Sequence, residues 1–255
     1  YYAGYGQGDM RIYTSMDGEA FTEIAKGTVS HRYRNMFRWQ IIEIGQQAKY
    51  ILIVKDQGLE MEIREIGLMD EEDGLIAIFS AMLREGESEQ EAAYLIDEQD
   101  QVPVTTSYMV DMYFDEIYHA RTAYEYLEGY TPYEITHPPL GKAIITLGIR
   151  IFGFNPFGWR FMGAIFGIAM LPLLYVFAKR IFGRTRYAAI ATLLFAADNM
   201  HFSLTRISTI DSYSIFFIIA MYFFMYEYMQ KSFNRDKLWK TLIPLGLCGI
   251  FFALG

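Results

Sequence analysis

The stretch YFDEIYHARTAYEYLEGYTPYEITHPPLGK, residues 113–142, separates two parts of a 255-residue chain that differ in composition. Before it the sequence is rich in acidic residues, and short segments carry many β-branched and aromatic side chains. After it the sequence is mostly apolar, with basic residues in short clusters. The stretch itself mixes acids, histidines, an arginine and a lysine with seven tyrosine and phenylalanine rings. Such a mixture next to apolar sequence favours a functional loop over a simple linker.

Overall composition excludes several classes of protein. The net charge of −8, without a basic stripe, argues against a nucleic-acid partner. The single cysteine, Cys248, lies in an apolar run, which argues against a disulfide framework and a thiolate metal site. The sequence opens without an initiator methionine or signal peptide and stops inside a hydrophobic run. We therefore expect a fragment of a longer protein.

Residues 1–78 predict an all-β module. Asp17-Gly18 lies between two β-prone segments, which is a hairpin signal. FRWQIIEI (37–44) and YILIVK (50–55) follow as further predicted strands. Short strands at this spacing indicate a β-sandwich. The pattern resembles galactose-binding-like (discoidin) jelly rolls. Residues 79–112 then form a charged connector, for which we predict a short helix and no chemistry.

The remainder predicts an α-helical membrane bundle. A span needs about 20 apolar residues, so Gly141–Phe154 is too short and is predicted as an interfacial helix. It belongs to a predicted extracytoplasmic loop, residues 113–158, that precedes the transmembrane region, residues 159–255. The predicted transmembrane helices comprise about 159–178, 187–202, 210–228 and 242–255.

Two basic clusters predict the orientation of this bundle. Each lies between consecutive predicted spans, and loops with excess lysine and arginine face the cytoplasm. The 113–158 loop, the β module and the loop around Arg206 would then all lie outside. The two clusters comprise Lys179, Arg180, Arg184 and Arg186, and Lys231, Arg235, Lys237 and Lys240.

The acidic pair Asp115-Glu116 is the first candidate for chemistry. A carboxylate near a membrane surface can act as general base on an acceptor hydroxyl. Tyr113, Phe114 and Tyr118 could exclude water from it and raise its basicity. Taken alone, an acidic pair in a loop is more often only solvated.

The HPPLGK segment is the second candidate. Its two prolines restrict the backbone before a helix, so His137 and Lys142 are held in place. Lys142 could contact a lipid phosphate, although a lysine that only extends to the interface is common there. Glu134 and His137 are three residues apart and could share a divalent metal, but two ligands do not make a site.

The third candidate lies in DNMHFSLTRISTID, residues 198–211. Arg206 could bind the phosphate of a leaving group whose charge grows in the transition state. Asp211 could orient Arg206 as its ion partner. A purely structural Arg–Asp pair is the alternative.

Four segments, YFDEIYHA, THPPLGK, NPFGWRF and DNMHF with its later arginine and aspartate, resemble the protein O-mannosyltransferase family in their order and spacing. That resemblance implies a GT-C fold and a polyprenyl-phosphate sugar donor. It also implies an essential acidic pair at Asp115 and Glu116, and an arginine at Arg206 that handles the lipid phosphate. The family has its first span shortly before the acidic pair, so here we expect that span upstream of Tyr1 and the β module as a loop insertion.

We therefore expect an inverting membrane glycosyltransferase that moves a hexose, with mannose favoured, from a polyprenyl-phosphate donor to serine or threonine hydroxyls of proteins. Asp115 would be the base and Glu116 its electrostatic partner or an acceptor orienter. Arg206 and Lys142 would contact the donor phosphate. No cofactor is definite, and a divalent metal stays open. The alternatives are a lipid or cell-envelope glycan acceptor, a membrane-anchored carbohydrate-binding protein, and a transporter, which the outer clustering of charges disfavours.

Overall fold

The chain divides into two units, residues 1–112 and 113–255, and each is considered by itself. The computed structural model describes residues 2–3, 8–24, 29–31, 37–55, 62–83, 92–233 and 237–255. Arg235, one of the predicted cytoplasmic residues, lies outside this described part.

The first unit contains small antiparallel sheets. Its main sheet is built on the eight-residue β2, which pairs with β3, β4 and β5. The β2–β5 ladder runs in register from Met10 opposite Lys55 to Ser15 opposite Tyr50. Strands β1 and β6 form a second sheet, and β7 and β8 a third. The strands are β1 (Tyr2–Ala3), β2 (Gly8–Ser15), β3 (Thr22–Glu23), β4 (Val29–His31), β5 (Tyr50–Lys55), β6 (Glu62–Ile63), β7 (Leu68–Met69) and β8 (Leu75–Ile76).

The Asp17-Gly18 turn confirms the predicted hairpin between β2 and β3. The Asp17 carboxylate accepts hydrogen bonds from the backbone N–H groups of Glu19 (2.9 Å) and Ala20 (3.0 Å) and from the Ser15 hydroxyl (2.8 Å). These bonds stabilise the ionised form and lower the pKa of Asp17 to about 2. Gly18 has φ +82°, a conformation that glycine adopts without strain.

The predicted strand at residues 37–44 is wrong. The structure gives this segment no strand, although it is rich in apolar side chains. Ile42 and Ile44 pack against the buried cluster Met10, Ile12 and Ile24. Apolar burial therefore explains the pattern without a ladder of backbone hydrogen bonds. The connector, for which we predicted a short helix, contains a 3₁₀ helix at Gln99–Gln101, and part of it, residues 84–91, lies outside the described residues.

The second unit is helical. Two of its helices, α3 and α6, are long and apolar enough to cross a membrane, and they include the predicted spans 159–178 and 210–228. Helices α4 and α7 are apolar but shorter. The described helices are α1 (Glu116–Glu128), α2 (Pro139–Phe152), α3 (Pro156–Phe182), α4 (Thr185–Ala196), α5 (Asn199–Leu204), α6 (Asp211–Phe233) and α7 (Leu238–Leu254).

The predicted span at residues 187–202 is not one continuous helix. Helix α4 ends at Ala196, and α5 begins at Asn199. Asp198 causes the new start, because its carboxylate accepts a hydrogen bond from the backbone N–H of His201 (2.9 Å). A side chain that caps a helix N-terminus in this way favours a break in the preceding helix.

Helix α3 is the centre of this unit, since it packs against α2, α4 and α6. Its glycines let the segment between α5 and α6, residues 205–210, approach the helix closely. A Cβ atom on Gly167 would lie 2.6 Å from the Cβ atom of Thr205. This segment contains Arg206, so the glycines of α3 help to fix the position of a candidate site residue.

Gly167→Ala should therefore destabilise the helical unit by about 1–3 kcal/mol, the usual cost of overpacking a close contact. The Thr205 side chain is β-branched and cannot move aside easily. Gly249→Ala in α7 is the matched control, because no atom of another element among the described residues lies within 4 Å of its added Cβ. We expect thermal unfolding of the full-length protein in detergent to show a lower midpoint for the first variant only. Equal midpoints would contradict the close contact.

Candidate active site

Helix α1 begins at the acidic pair and gives its two carboxylates different surroundings. Asp115 occupies the N-cap position and is partly exposed, whereas Glu116, the first helical residue, is fully buried. The preceding residue, Phe114, has φ +51°, which is uncommon for a residue with a side chain. The backbone therefore turns sharply just before the pair.

Glu116 connects three segments of the unit. Its carboxylate accepts two hydrogen bonds from the Arg160 guanidinium, from Nε (2.7 Å) and Nη2 (2.6 Å). It also accepts from the backbone N–H of Ser208 (2.7 Å) and of Tyr113 (2.7 Å). These bonds tie the start of α1 to α3 and to the segment that contains Arg206. We name this arrangement of Glu116, Arg160 and the Ser208 N–H the Glu116 clamp.

The clamp changes the interpretation of Glu116. One of our predictions was that Glu116 orients the acceptor. Its carboxylate is fully buried and accepts four hydrogen bonds, so it is not free to do so. Arg160 was not among the predicted site residues. Its signal was present in NPFGWRF, because a lone arginine entering an apolar helix is costly and tends to be paired or functional.

The Asp115 side chain is more accessible than that of Glu116. Its side chain makes no capping hydrogen bond, while its backbone carbonyl accepts from the N–H of His119 (3.1 Å). The neighbouring rings of Tyr113, Phe114 and Tyr118 are all exposed. The sequence suggested that these rings exclude water from Asp115. In this structure they do not.

Lys142 lies where it cannot contact a lipid phosphate, which corrects the predicted role. Its side chain is fully buried. The ammonium donates to the backbone carbonyls of Glu134 (2.8 Å) and His137 (3.3 Å) and forms an ion pair with the Glu134 carboxylate. These three partners match the three N–H donors of a lysine. Lys142 therefore joins the first turn of α2 to the loop before it.

Glu134 and His137 are joined by a third residue, His119. Ligand atoms of the three side chains all lie within 4.8 Å of one another, and the two imidazole rings meet edge to face at 5.2 Å. Burial, followed by the nearby His137, lowers the pKa of His119. Burial raises the pKa of Glu134, but hydrogen bonds from Lys142, Thr136 and His137 outweigh this and lower it overall. The sequence had suggested only two of the three residues.

Arg206 and Asp211 do not form the predicted ion pair within the described part of the chain. Arg206 is exposed, and its guanidinium lies over the Phe202 ring, 4.7 Å from the centroid. Asp211 is exposed at the start of α6. The Arg206 side chain lies toward the helical turn that precedes it and away from Asp211. The segment that contains Arg206 is held two residues later, where the backbone N–H of Ser208 donates to the Glu116 carboxylate.

Residues 136–255 match the family model described as dolichyl-phosphate-mannose-protein mannosyltransferase. This part of the chain is similar to the protein mannosyltransferase family. The resemblance inferred from the sequence motifs is therefore confirmed. The match covers His137, Lys142, Arg160, Arg206 and Asp211, whereas the Asp115-Glu116 pair precedes it.

Curated relatives support the same protein mannosyltransferase assignment. The polyprenol-phosphate-mannose–protein mannosyltransferase of Mycobacterium tuberculosis is 35% identical over 115 residues, which is 43% of this chain and 22% of that protein. Its counterpart in Corynebacterium glutamicum is 35% identical over 101 residues, 40% of this chain and 19% of that protein. The yeast dolichyl-phosphate-mannose–protein mannosyltransferase 3 is 29% identical over 134 residues, 45% and 18% of the two chains. The chain thus spans about a fifth of the length of these relatives. No solved structure matches.

Glu116→Ala should destabilise this unit strongly. Removing one partner of a buried pair leaves the other charge uncompensated, at a cost of about 3–5 kcal/mol. Glu128→Ala is the control, because Glu128 is an exposed acid at the other end of the same helix. Thermal unfolding in detergent should therefore separate the two variants clearly. A Glu116→Ala midpoint as high as that of the control would disprove the structural role of the clamp.

Proposed function

We propose that this chain is part of an integral-membrane glycosyltransferase that moves a hexose, with mannose as the expected sugar, from a polyprenyl-phosphate donor to serine or threonine hydroxyls of proteins. The observation that carries the proposal is the Glu116 clamp. It holds the start of α1, next to Asp115, together with the segment that contains Arg206, which supports the proposal that a base and a cation act in one site. The names of the relatives, which specify polyprenol- or dolichyl-phosphate-mannose and protein, support the donor and the acceptor.

Asp115 is the proposed general base. Its carboxylate takes the proton of the acceptor hydroxyl while that oxygen attacks the anomeric carbon of the donor. The bond from this carbon to the phosphate oxygen breaks, and the polyprenyl phosphate leaves with the electron pair. Attack from the opposite face inverts the anomeric carbon. A positioned base of this kind contributes about 10²–10⁴-fold to a rate.

Arg206 is the proposed partner of the leaving phosphate. Its guanidinium is exposed, and the only contact that the structure describes for it is with the Phe202 ring. An arginine fork can donate two parallel hydrogen bonds to phosphate oxygens, whose negative charge grows as the sugar leaves. Asp211, also exposed at the next helix start, remains a candidate for substrate contact, and so does the half-exposed His137.

The proposed location is a multi-pass membrane bundle with the site on the extracytoplasmic side. Arg160, part of the clamp, lies in the first turns of α3, while Lys179 and Arg180 lie in its last turn. A helix of 27 residues is about 40 Å long, so the site and the basic residues lie at opposite ends. The Tyr226 hydroxyl donates to the Arg180 carbonyl (3.1 Å), so the basic end of α6 lies next to the basic end of α3. Basic ends face the cytoplasm, and the site would then face outward.

For the first unit we propose a galactose-binding-like β module, with residues 1–78 as its extent, inserted in the first outer loop. The antiparallel sheet around β2 and the hairpin at Asp17 support a β module. Residues 79–112 would connect it to the catalytic loop, residues 113–158.

Asp115→Asn in the full-length protein should abolish transfer without loss of donor binding. Loss of the base should lower kcat by about 10²–10⁴-fold. The assay supplies radiolabelled polyprenyl-phosphate mannose and protein acceptors to membranes that contain each variant. Glu128→Gln is the control, because Glu128 is an exposed acid at the other end of α1.

Label that enters protein with the wild type and the control, but not with Asp115→Asn, supports the proposal. Label found in lipid or polysaccharide would keep the mechanism and replace the acceptor. Equal transfer by Asp115→Asn and the wild type would remove Asp115 as the base. Failure of the wild type to transfer from any sugar donor would instead favour a membrane-anchored carbohydrate-binding protein.

Arg206→Ala should lower kcat/KM for the donor by about 10²–10³-fold, the usual loss when one stabilising donor is removed from a transition state. Arg206→Lys should recover only part of it, because lysine keeps the charge but not the two-pronged geometry. Arg150→Ala is the control, since Arg150 is exposed in the last turn of α2. Unchanged donor kinetics in Arg206→Ala would exclude the phosphate contact.

A further inference from the structure

His119, Glu134 and His137 form a cluster to which the proposed mechanism assigns no proton transfer and no contact with the leaving phosphate. Two imidazoles and one carboxylate come together from α1 and from the loop before α2, with ligand atoms within 4.8 Å of one another. Around a tetrahedral zinc ion, with bonds of about 2.0–2.1 Å, donor atoms lie about 3.3 Å apart. The cluster therefore needs to contract by about 1.5 Å at most to surround an ion.

One member of the cluster has an unused nitrogen. His119 is 3% exposed, and its Nδ1 atom has no hydrogen-bond partner among the described residues. A buried polar atom without a partner lowers the stability of the fold by about 1–3 kcal/mol. Such an atom indicates either a bound ligand that would satisfy it or a fold that tolerates the loss. A neutral imidazole offers one nitrogen lone pair to a metal ion, so an imidazole with unused hydrogen-bonding capacity suits a metal ligand.

The rest of the cluster is arranged as metal sites usually are. Glu134 is held by hydrogen bonds to its Oε1 atom from the backbone N–H groups of Thr136 (2.6 Å) and His137 (3.2 Å). Hydrogen bonds of this kind hold a metal ligand in one orientation. The His137 side chain is 52% exposed, so the cluster has an open side through which an ion can enter.

We propose that His119, Glu134 and His137 bind one divalent transition-metal ion, with Zn²⁺ as the best fit. Nitrogen donors from two histidines favour zinc over the hard cations magnesium and calcium, which prefer oxygen. The fourth position lies on the open side next to His137 and takes a water molecule. Bound there, the ion links the loop before α2 to α1, one turn after Asp115.

Lys142 sets a limit on the affinity. Its ammonium shares the Glu134 carboxylate and lies close enough to His119 to act on it electrostatically. A positive charge beside a cation weakens binding, because the two compete for the same negative charge. We therefore expect an exchangeable ion that a chelator removes, and not a permanently held structural zinc.

The test uses the full-length protein in detergent, stripped with a chelator and then titrated with Zn²⁺ alone against a chromophoric competitor. Bound metal is counted by mass spectrometry, and Co²⁺ replaces Zn²⁺ to record the visible absorption of a tetrahedral site. His137→Ala removes the exposed ligand, and His119→Ala the buried one. His201→Ala is the control, because His201 lies in α5 outside the cluster.

We expect one Zn²⁺ per chain. Loss of a group that only hydrogen-bonds a metal ligand lowers the affinity about 10–100-fold. Loss of the ligand itself in His137→Ala should therefore lower the Zn²⁺ affinity by more than about 100-fold. The control should bind like the wild type, and Mg²⁺ should not compete. No Zn²⁺ binding by the wild type, or equal binding by His137→Ala, would overturn the proposal. If His119→Ala does not fold, His137→Ala still decides the question. Sugar transfer is not measured here, so either outcome leaves the proposed function untouched.

Discussion

The helical unit depends on the burial of one carboxylate. Moving an ionised Glu116 out of water costs several kcal/mol unless its oxygens are fully hydrogen-bonded. The Arg160 guanidinium and the backbone N–H groups of Ser208 and Tyr113 satisfy it. These donors come from three segments that are distant in sequence. The charge can therefore be buried only when all three segments are in place, which makes the clamp a condition for the site as a whole.

A second buried ion pair further along the chain is also stabilised by additional hydrogen bonds. Lys142 and Glu134 neutralise each other, and the remaining ammonium protons bond to backbone carbonyls. This pair fixes the loop between α1 and α2, where the two prolines already limit the backbone. Lys142, which the sequence suggested as a donor-phosphate contact, thus holds this loop. Glu116, suggested as the electrostatic partner of the base or an acceptor orienter, holds the start of α1. In the proposed reaction, the partly exposed Asp115 and the exposed Arg206 remain for the chemistry.

Much of the architecture could be predicted from local sequence. The Asp17-Gly18 hairpin was recognised because its turn residues act on their immediate neighbours. The long apolar helices were recognised because a membrane span is a property of about 20 consecutive residues. The strand predicted at residues 37–44 was wrong, since apolar residues that pack in an irregular segment have the same composition as a strand. The split between α4 and α5 depends on how the Asp198 side chain caps the second helix.

Local sequence was sufficient to predict two candidate membrane helices, the similarity of residues 136–255 to the mannosyltransferase family and the set of charged residues from which a site can be built. Contacts between distant segments settle which of those charges pair inside the fold. Glu116 meets Arg160 and Ser208, 44 and 92 residues away along the chain. His119 meets His137 across a helix and a loop. Composition and spacing report on neighbours in sequence, whereas the cost of burying a charge is settled by partners that are neighbours only after folding.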